Sequence, residues 1–282
     1  MQCRSPRLLG SVLAVCLPAL GLTIALSPAA GASSSPGARA TAAARTALQH
    51  LAIGQHGSDH RVSGHAARVK GLTQVESNNW SGYADTGSGY ASVTGRWTEP
   101  SASCTSQTSL AAFWVGIDGY SSDTVEQDGT LIECYLGTPY YFTWWEMYPS
   151  NDIQVVGETL QPGDAIAASV VRSGSSYTLK VTDSSRSGDS FTTTQRCSGC
   201  ANSSAEWIAE APSGSSGIYP LSDFHSWSLS NATVKSGSTS GVISSFTDDE
   251  ITMVDSSGAT EAQPGPLNGS GNAFSVTWER SS

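Results

Sequence analysis

The chain is poor in basic residues, and beyond residue 70 it is also poor in histidine. Residues 1–70 hold 7 of the 14 Lys and Arg residues and 1 of the 24 Asp and Glu residues, so residues 71–282 carry a net charge of 7 − 23 = −16. This acidic balance argues against nucleic acid as a partner, because nucleic acid is bound by basic surfaces. The acidic excess suits work in acid, because protonation of carboxylates brings the net charge towards zero.

The motifs of the common hydrolases are missing as well. His225 is the one histidine beyond residue 70, and neither Gly-x-Ser-x-Gly nor His-Glu-x-x-His occurs. Serine triads, Cys–His dyads and zinc peptidases are therefore disfavoured. Asp85-Thr86-Gly87 is the tripeptide of an aspartic peptidase, but it occurs once, and a single-chain enzyme of that type needs a second copy. A turn is the favoured interpretation, and a homodimer with one copy per chain is the alternative.

One apolar run is longer than a strand, and it lies near the N-terminus. Arg4 and Arg7 precede a nearly apolar stretch over residues 8–26, and Ala30-Gly31-Ala32 follows. This order is typical of a secretory signal peptide with a small-residue cleavage site. The run is only just long enough to span a bilayer, and the small residues favour cleavage over a membrane anchor. We therefore predict a signal peptide over residues 1–32 and a secreted protein without a membrane partner.

Residues 33–70 form a basic segment ahead of the acidic domain. They are rich in Ala and Arg and include His50, His56, His60 and His65. We predict a propeptide that pairs electrostatically with residues 71–282, while a disordered leader is the alternative. The histidines gain charge as the pH falls through about 6.5, which would weaken docking of such a segment.

Cysteine usage also indicates an oxidising compartment. Cys3 and Cys16 leave with the signal peptide, and four cysteines remain: Cys104, Cys134, Cys197 and Cys200. Four cysteines allow three pairings, of which we favour Cys104–Cys134 and Cys197–Cys200. Zinc at the Cys-x-x-Cys would need further Cys or His ligands, and a redox motif would usually lie on a helix after a strand. We regard both of these as minor alternatives.

Residues 71–282 predict one all-β domain. Short alternating runs such as Tyr177–Thr182 are separated by Gly, Ser, Asn and Asp, and no long helical period competes. We expect an antiparallel sandwich of two large sheets. Alternation places Phe113, Val115 and Ile117 towards the core. The opposite faces of three predicted strands carry acidic side chains, two of them beside aromatic ones, and we expect them to form a groove for an extended polymer: Trp114, Gly116 and Asp118; Trp144, Glu146 and Tyr148; Glu206, Ile208 and Glu210.

Six motifs in a fixed order resemble the glutamic peptidases, the eqolisins of the scytalidoglutamic peptidase type. They are Ser77–Tyr83, Phe113–Gly119, Glu126–Thr130, Trp144–Pro149, Pro162–Asp164 and Ala205–Glu210. The resemblance covers roughly residues 75–280, and its strength lies in the order of the motifs. It implies a sandwich of two seven-stranded sheets, of the concanavalin A-like or jelly-roll type, that hydrolyses peptides. It also implies that no metal or other cofactor takes part.

The resemblance implies a catalytic dyad of Gln127 and Glu210, with Glu206 in a supporting role. Trp114, Asp118, Trp144 and Glu146 fall where that family lines its cleft. Two features depart from the fungal pattern: Gln127 is followed by Asp128-Gly129-Thr130, and the cysteines lie elsewhere. They leave the substrate pocket, the pH optimum and the disulfides open.

A carbohydrate-binding module or a glycoside hydrolase on a similar sandwich is the rival hypothesis. Glu146 and Glu210 would then be the carboxylates, at about 5–9 Å across a cleft. The motif around Gln127 favours the peptidase, because a sugar binder has no evident need for it. We expect a monomer, with a protein or peptide substrate and its own propeptide as partners.

Overall fold

The computed structural model describes residues 60–61 and 73–281 of the chain. The ordered elements of these residues are β-strands and two short 3₁₀ turns, at Ser187–Asp189 and Ile243–Ser245. The strands are β1 His60–Arg61, β2 Thr73–Ser77, β3 Trp80–Thr86, β4 Tyr90–Thr98, β5 Ser109–Asp118, β6 Val125–Tyr135, β7 Thr138–Tyr148, β8 Asn151–Gly157, β9 Ala165–Ser173, β10 Ser176–Asp183, β11 Phe191–Arg196, β12 Ser204–Glu210, β13 Ser213–Gly214, β14 Gly217–Ile218, β15 Ser226–Ser236, β16 Thr239–Gly241, β17 Thr247–Val254, β18 Thr260–Pro264 and β19 Phe274–Trp278. None of the described segments is a helix that could cross a membrane.

The strands form two layers, as predicted for a sandwich. The first layer has the order β8-β7-β6-β5-β12-β3-β17-β2, with β1 beside β2, and the second has the order β11-β10-β9-β4-β15-β19-β18. Neighbours within each layer are antiparallel except for the parallel pair of β2 and β17. The sheet count differs from the prediction, because β17 also pairs with β18 and joins both layers into one network of 17 strands, while β13 and β14 form a separate hairpin. The all-β class is confirmed.

The main core lies between the layers and is rich in aromatic side chains. Phe113, Val115 and Ile117 all lie in it, as their alternation predicts. Phe113 stacks on Trp227 of β15 with ring centroids 5.3 Å apart, so the two layers interlock through large rings.

A second apolar cluster covers the opposite face of the first layer, which we call the outer face. Its buried members come from this layer alone and include Trp80, Trp114, Trp144 and Ile208. The rings of Trp80 and Trp114 meet edge to face at 4.9 Å. Gly129 lets β5 and β6 approach here, because a Cβ at that position would collide with the backbone of Phe113. The sequence thus buries both faces of the first layer.

The favoured disulfides are confirmed. Cys104 is bonded to Cys134 and Cys197 to Cys200. The first ties the segment before β5 to the end of β6, and the second closes a short loop between β11 and β12. The predicted signal peptide and most of residues 33–70 lie outside the described residues.

Candidate active site

Strand register places the predicted site residues on the outer face of the first layer. One row across four strands contains Glu206 opposite Gly116, Gly116 opposite Gln127 and Gln127 opposite Glu146. Glu210 follows Glu206 by four positions on β12 and therefore shares its face. The sheet thus brings together, on one face, side chains from β12, β6 and β7.

The Gln127 amide and the Glu210 carboxylate are both held by neighbours on this face. Gln127 Nε2 donates to Glu146 Oε2 at 2.7 Å. Trp114 Nε1 donates to Glu210 Oε2 at 2.8 Å, and Asn79 Nδ2 donates to Glu210 Oε1 at 3.3 Å. All five side chains are fully buried or nearly so. Such contacts fix the orientation of an amide and of a carboxylate before any substrate arrives.

Glu146 connects the two predicted dyad residues electrostatically. Burial raises the pKa of Glu146 well above its ordinary value; the hydrogen bond from Gln127 lowers it, and the charge of Glu210 raises it again. Glu146 is therefore a neutral acid at acidic pH, and the cluster avoids two adjacent negative charges.

Trp144 and Asp118 have different contacts in the fold. Trp144 lies fully buried in the outer-face cluster, in the row that also contains Gly129. Asp118 ends β5 with a φ of 70°, and its carboxylate accepts hydrogen bonds from the backbone N–H groups of Asn202 and Ser203, each at 2.7 Å. In this conformation Asp118 anchors the start of β12, and its contact with substrate stays a prediction.

Asn79 is a candidate functional residue that the sequence analysis did not predict. It lies between β2 and β3, is fully buried, and accepts a hydrogen bond from Ser77 Oγ at 3.1 Å while donating to Glu210. The motif Ser77–Tyr83 was the signal that could have revealed it. Its partner Glu210 is 131 positions away in the sequence, so only the fold shows the contact.

Glu206 lies on the same face but in a different electrostatic setting. It is fully buried, and burial followed by the charges of Asp118 and Glu126 raises its pKa well above the ordinary value, against a hydrogen bond with Ser204 that lowers it. A buried neutral carboxyl of this kind is compatible with the supporting role that the resemblance implies for Glu206, which stays a prediction.

One group of side chains in the described part of the chain has the spacing of a metal site. It comprises Glu126, Cys197 and Cys200, whose oxygen and sulfur atoms lie within 4.8 Å of one another. Both sulfurs are bonded to each other, so neither is a thiolate that could bind a metal ion.

Comparison with known proteins agrees with these features. The model of the peptidase A4 family matches residues 78–265. Aspergillopepsin-2 of Aspergillus niger is 30% identical over 207 residues, which cover 64% of this chain and 71% of that protein. Scytalidopepsin B of Scytalidium lignicola is 31% identical over 184 residues, covering 64% of this chain and 66% of that protein.

Solved structures show the same fold. A scytalido-glutamic peptidase bound to a transition-state analogue inhibitor matches with a TM-score of 0.61 and 23% identity, over 72% of this chain and 98% of that one. The aspergilloglutamic peptidase of Aspergillus niger matches with a TM-score of 0.51 and 27% identity, over 61% of this chain and 99% of that one. With the family match over residues 78–265, these findings establish that the chain belongs to the peptidase A4 family and is a glutamic endopeptidase.

Proposed function

We propose that this protein is a secreted acid endopeptidase in which Glu210 is the general base and acid and Gln127 stabilises the oxyanion. The observation that carries the proposal is the buried cluster on the outer face. There, Gln127 is held by Glu146, and the charge of Glu210 acts on Glu146. Secretion is supported by the apolar N-terminal run and by the two disulfides.

The reaction follows from the two functional groups. Glu210, ionised, takes a proton from a water held between it and Gln127, and the water attacks the carbonyl carbon of the peptide bond. Gln127 Nε2 donates a hydrogen bond to the oxygen that becomes negative. Glu210 then gives its proton to the leaving nitrogen. The amide does not titrate, so a single carboxylate sets the acid limit of activity.

The neighbours prepare both groups for these steps. The bond from Gln127 Nε2 to Glu146 fixes the orientation of the amide NH₂ group, which is the donor to the oxyanion. Trp114 and Asn79 each donate to Glu210, and these two bonds fix the orientation of its carboxylate. The protein thus holds its dipoles in place before the charge develops.

An extended peptide is the proposed substrate, lying across the outer face. Trp114, Asp118, Trp144 and Glu146 would line its path. All four are fully buried in this conformation, so a peptide reaches the dyad only when this face becomes accessible. The predicted propeptide is a further proposed partner, and its described part, β1, pairs with β2 through His60 and Ser77.

Digestion of casein by the purified protein between pH 3 and 7 tests the proposal. We expect cleavage at acidic pH, and we expect Gln127→Ala to lower kcat/KM by about 10²–10³-fold, the usual cost of losing one oxyanion donor. Gln195→Ala is the matched control, because this glutamine lies on β11 and donates to Thr193 Oγ1. Retained activity in Gln127→Ala, with loss in Asp85→Asn, would support the aspartic alternative instead.

A second prediction concerns Glu146. Because its carboxyl is neutral and its Oε2 accepts from Gln127, an amide at this position reproduces the acceptor without adding charge. We expect Glu146→Gln to keep kcat/KM within about tenfold of the wild-type value and Glu146→Ala to lose about 10²-fold at pH 4. Equal losses in both variants would show that Glu146 acts as an anion or as a proton donor.

A further inference from the structure

A second group of reactive side chains lies away from the dyad, where β11 ends and β12 begins. The Cys197–Cys200 disulfide closes the loop there, and one carboxylate oxygen of Glu126 lies within 4.8 Å of both sulfurs. Glu126 is fully buried, while both cysteines are partly exposed. Solvent therefore reaches part of both cysteines, and a buried carboxyl group lies beside their sulfurs.

Glu126 is a buried carboxyl group that lies close to a second one, that of Asp118. Burial, followed by the charge of Asp118 and a hydrogen bond with it, raises the pKa of Glu126 to about 9, although Arg172 lowers it. Two carboxyl groups hydrogen-bond only when one carries a proton, so Glu126 is protonated at neutral pH.

The surrounding hydrogen bonds hold both cysteines in place. Cys197 N–H donates to Ser175 O at 3.0 Å, and Asn202 Nδ2 donates to Cys200 O at 2.7 Å. Asn202 is fixed in turn by its backbone N–H bond to Asp118. After reduction the two thiols would therefore stay close to each other and to Glu126, as reversible exchange requires.

The other disulfide has no such carboxyl group beside it. Cys134 is fully buried and Cys104 is partly exposed, but in the described part of the chain no carboxylate or imidazole lies within the same distance of both of their sulfurs. We propose that Cys197–Cys200 is a thiol–disulfide exchange site for dithiol reductants, with Glu126 as its proton donor and acceptor. Cys104–Cys134 is then the structural bond and an internal control.

The exchange balances with a dithiol as the one co-reactant. A thiolate of the dithiol attacks one sulfur, the S–S bond breaks, and the displaced sulfur keeps the electron pair and takes the proton of Glu126. The second thiol attacks the mixed disulfide, and its proton goes to the cysteine that is released. Glu126 regains from water the proton that the first thiol had lost. Two electrons pass from the dithiol, which becomes a disulfide, to Cys197 and Cys200.

Timed reduction of the full-length protein by dithiothreitol tests this role, with alkylation and mass spectrometry to count the thiols at each cysteine. We expect Cys197 and Cys200 to be reduced while Cys104–Cys134 stays oxidised. Glu126→Gln should slow the reduction about tenfold at pH 7, because an amide cannot deliver a proton. In the wild-type protein the rate should depend on the ionisation of Glu126 near pH 9, and this dependence should be absent from the pH profile of the variant. Glu133→Gln, which changes the carboxyl next to Cys134, should leave the rate unchanged.

Two results would overturn the proposal. One is an unchanged rate and pH profile in Glu126→Gln, and the other is reduction of both disulfides at the same rate. If Glu126→Gln fails to fold, Glu126→Asp serves instead, because the shorter side chain withdraws the carboxyl from the sulfurs and should also slow the reduction. Disulfide mapping of each oxidised variant confirms that the starting bonds are the same.

Discussion

Replacing Glu210 with glutamine is expected to lower kcat/KM by about 10⁴-fold or more and to leave the fold intact. The amide has the same shape, and its oxygen can still accept from Trp114 Nε1 at the site of the 2.8 Å bond. It cannot take a proton from water or return one to the leaving nitrogen, so both proton transfers are lost. Hydrolysis of a chromogenic peptide at pH 4 measures the loss, and circular dichroism checks the fold.

Glu206→Gln is the matched control for this prediction. Glu206 lies on the same strand and the same face, is equally buried, and stands in the row of Gln127. Burial, followed by the charges of Asp118 and Glu126, raises the pKa of Glu206, so Glu206 interacts with a different set of carboxyl groups from Glu210. We expect Glu206→Gln to keep kcat/KM within about tenfold. The opposite ranking of the two variants would move the catalytic role to Glu206.

Alternation along the strands was sufficient to predict which face the site would occupy. It placed Phe113 in the core and Trp114 opposite, and both lie there. Alternation could not distinguish Glu206 from Glu210, since residues four apart share a face. The contacts distinguish them: Trp114 Nε1 and Asn79 Nδ2 both donate to Glu210.

Long-range contacts were the part that the sequence could not supply. The approach of Glu126 to Cys197 and Cys200 depends on how β6 lies against the loop between β11 and β12, about 70 positions later in the chain. The continuity of both layers through β17 and β18 also escaped prediction, because strand pairing across a sandwich corner leaves no local pattern. Burial of Trp114, Trp144 and Glu146 was missed because a groove was expected to be open.

Several buried carboxyl groups predict a protein that is stable in acid and loses stability towards neutral pH. Asp85 of β3 stands directly opposite Asp248 of β17, and burial, followed by the charge of Asp248, raises the pKa of Asp85 to about 9. Burial is also the main cause that raises the pKa of Glu99 to about 8 and that of Glu126 to about 9. These groups are neutral in the folded protein at pH values where the unfolded chain would ionise them.

The sign of the effect follows from the raised pKa values. Below the unfolded pKa of about 4 each group is protonated in both states, and its full contribution to stability is present. Above that value the unfolded state releases protons that the folded state keeps. Each group therefore lowers the free energy of unfolding by about 1.4 kcal/mol per pH unit until the pH reaches its pKa in the folded state. Between pH 5 and 7, Asp85, Glu99 and Glu126 together lower the free energy of unfolding by about 8 kcal/mol. A typical domain has a total free energy of unfolding of about 5–15 kcal/mol, so the two amounts are comparable.

Thermal unfolding followed by circular dichroism between pH 3.5 and 8 measures this loss. We expect the Tm to fall steeply above pH 5, and we expect Asp85→Asn to gain about 5 kcal/mol of stability at pH 7.5 relative to the wild-type protein and almost nothing at pH 3.5. Asp255→Asn is the control, and its effect on stability should have the opposite sign to that of Asp85→Asn. The reason is that hydrogen bonds from Ser257 and Ala259 lower the pKa of Asp255. A Tm that stays level from pH 4 to 8, or an Asp85→Asn variant without this gain, would show that these carboxyls ionise within the intact fold.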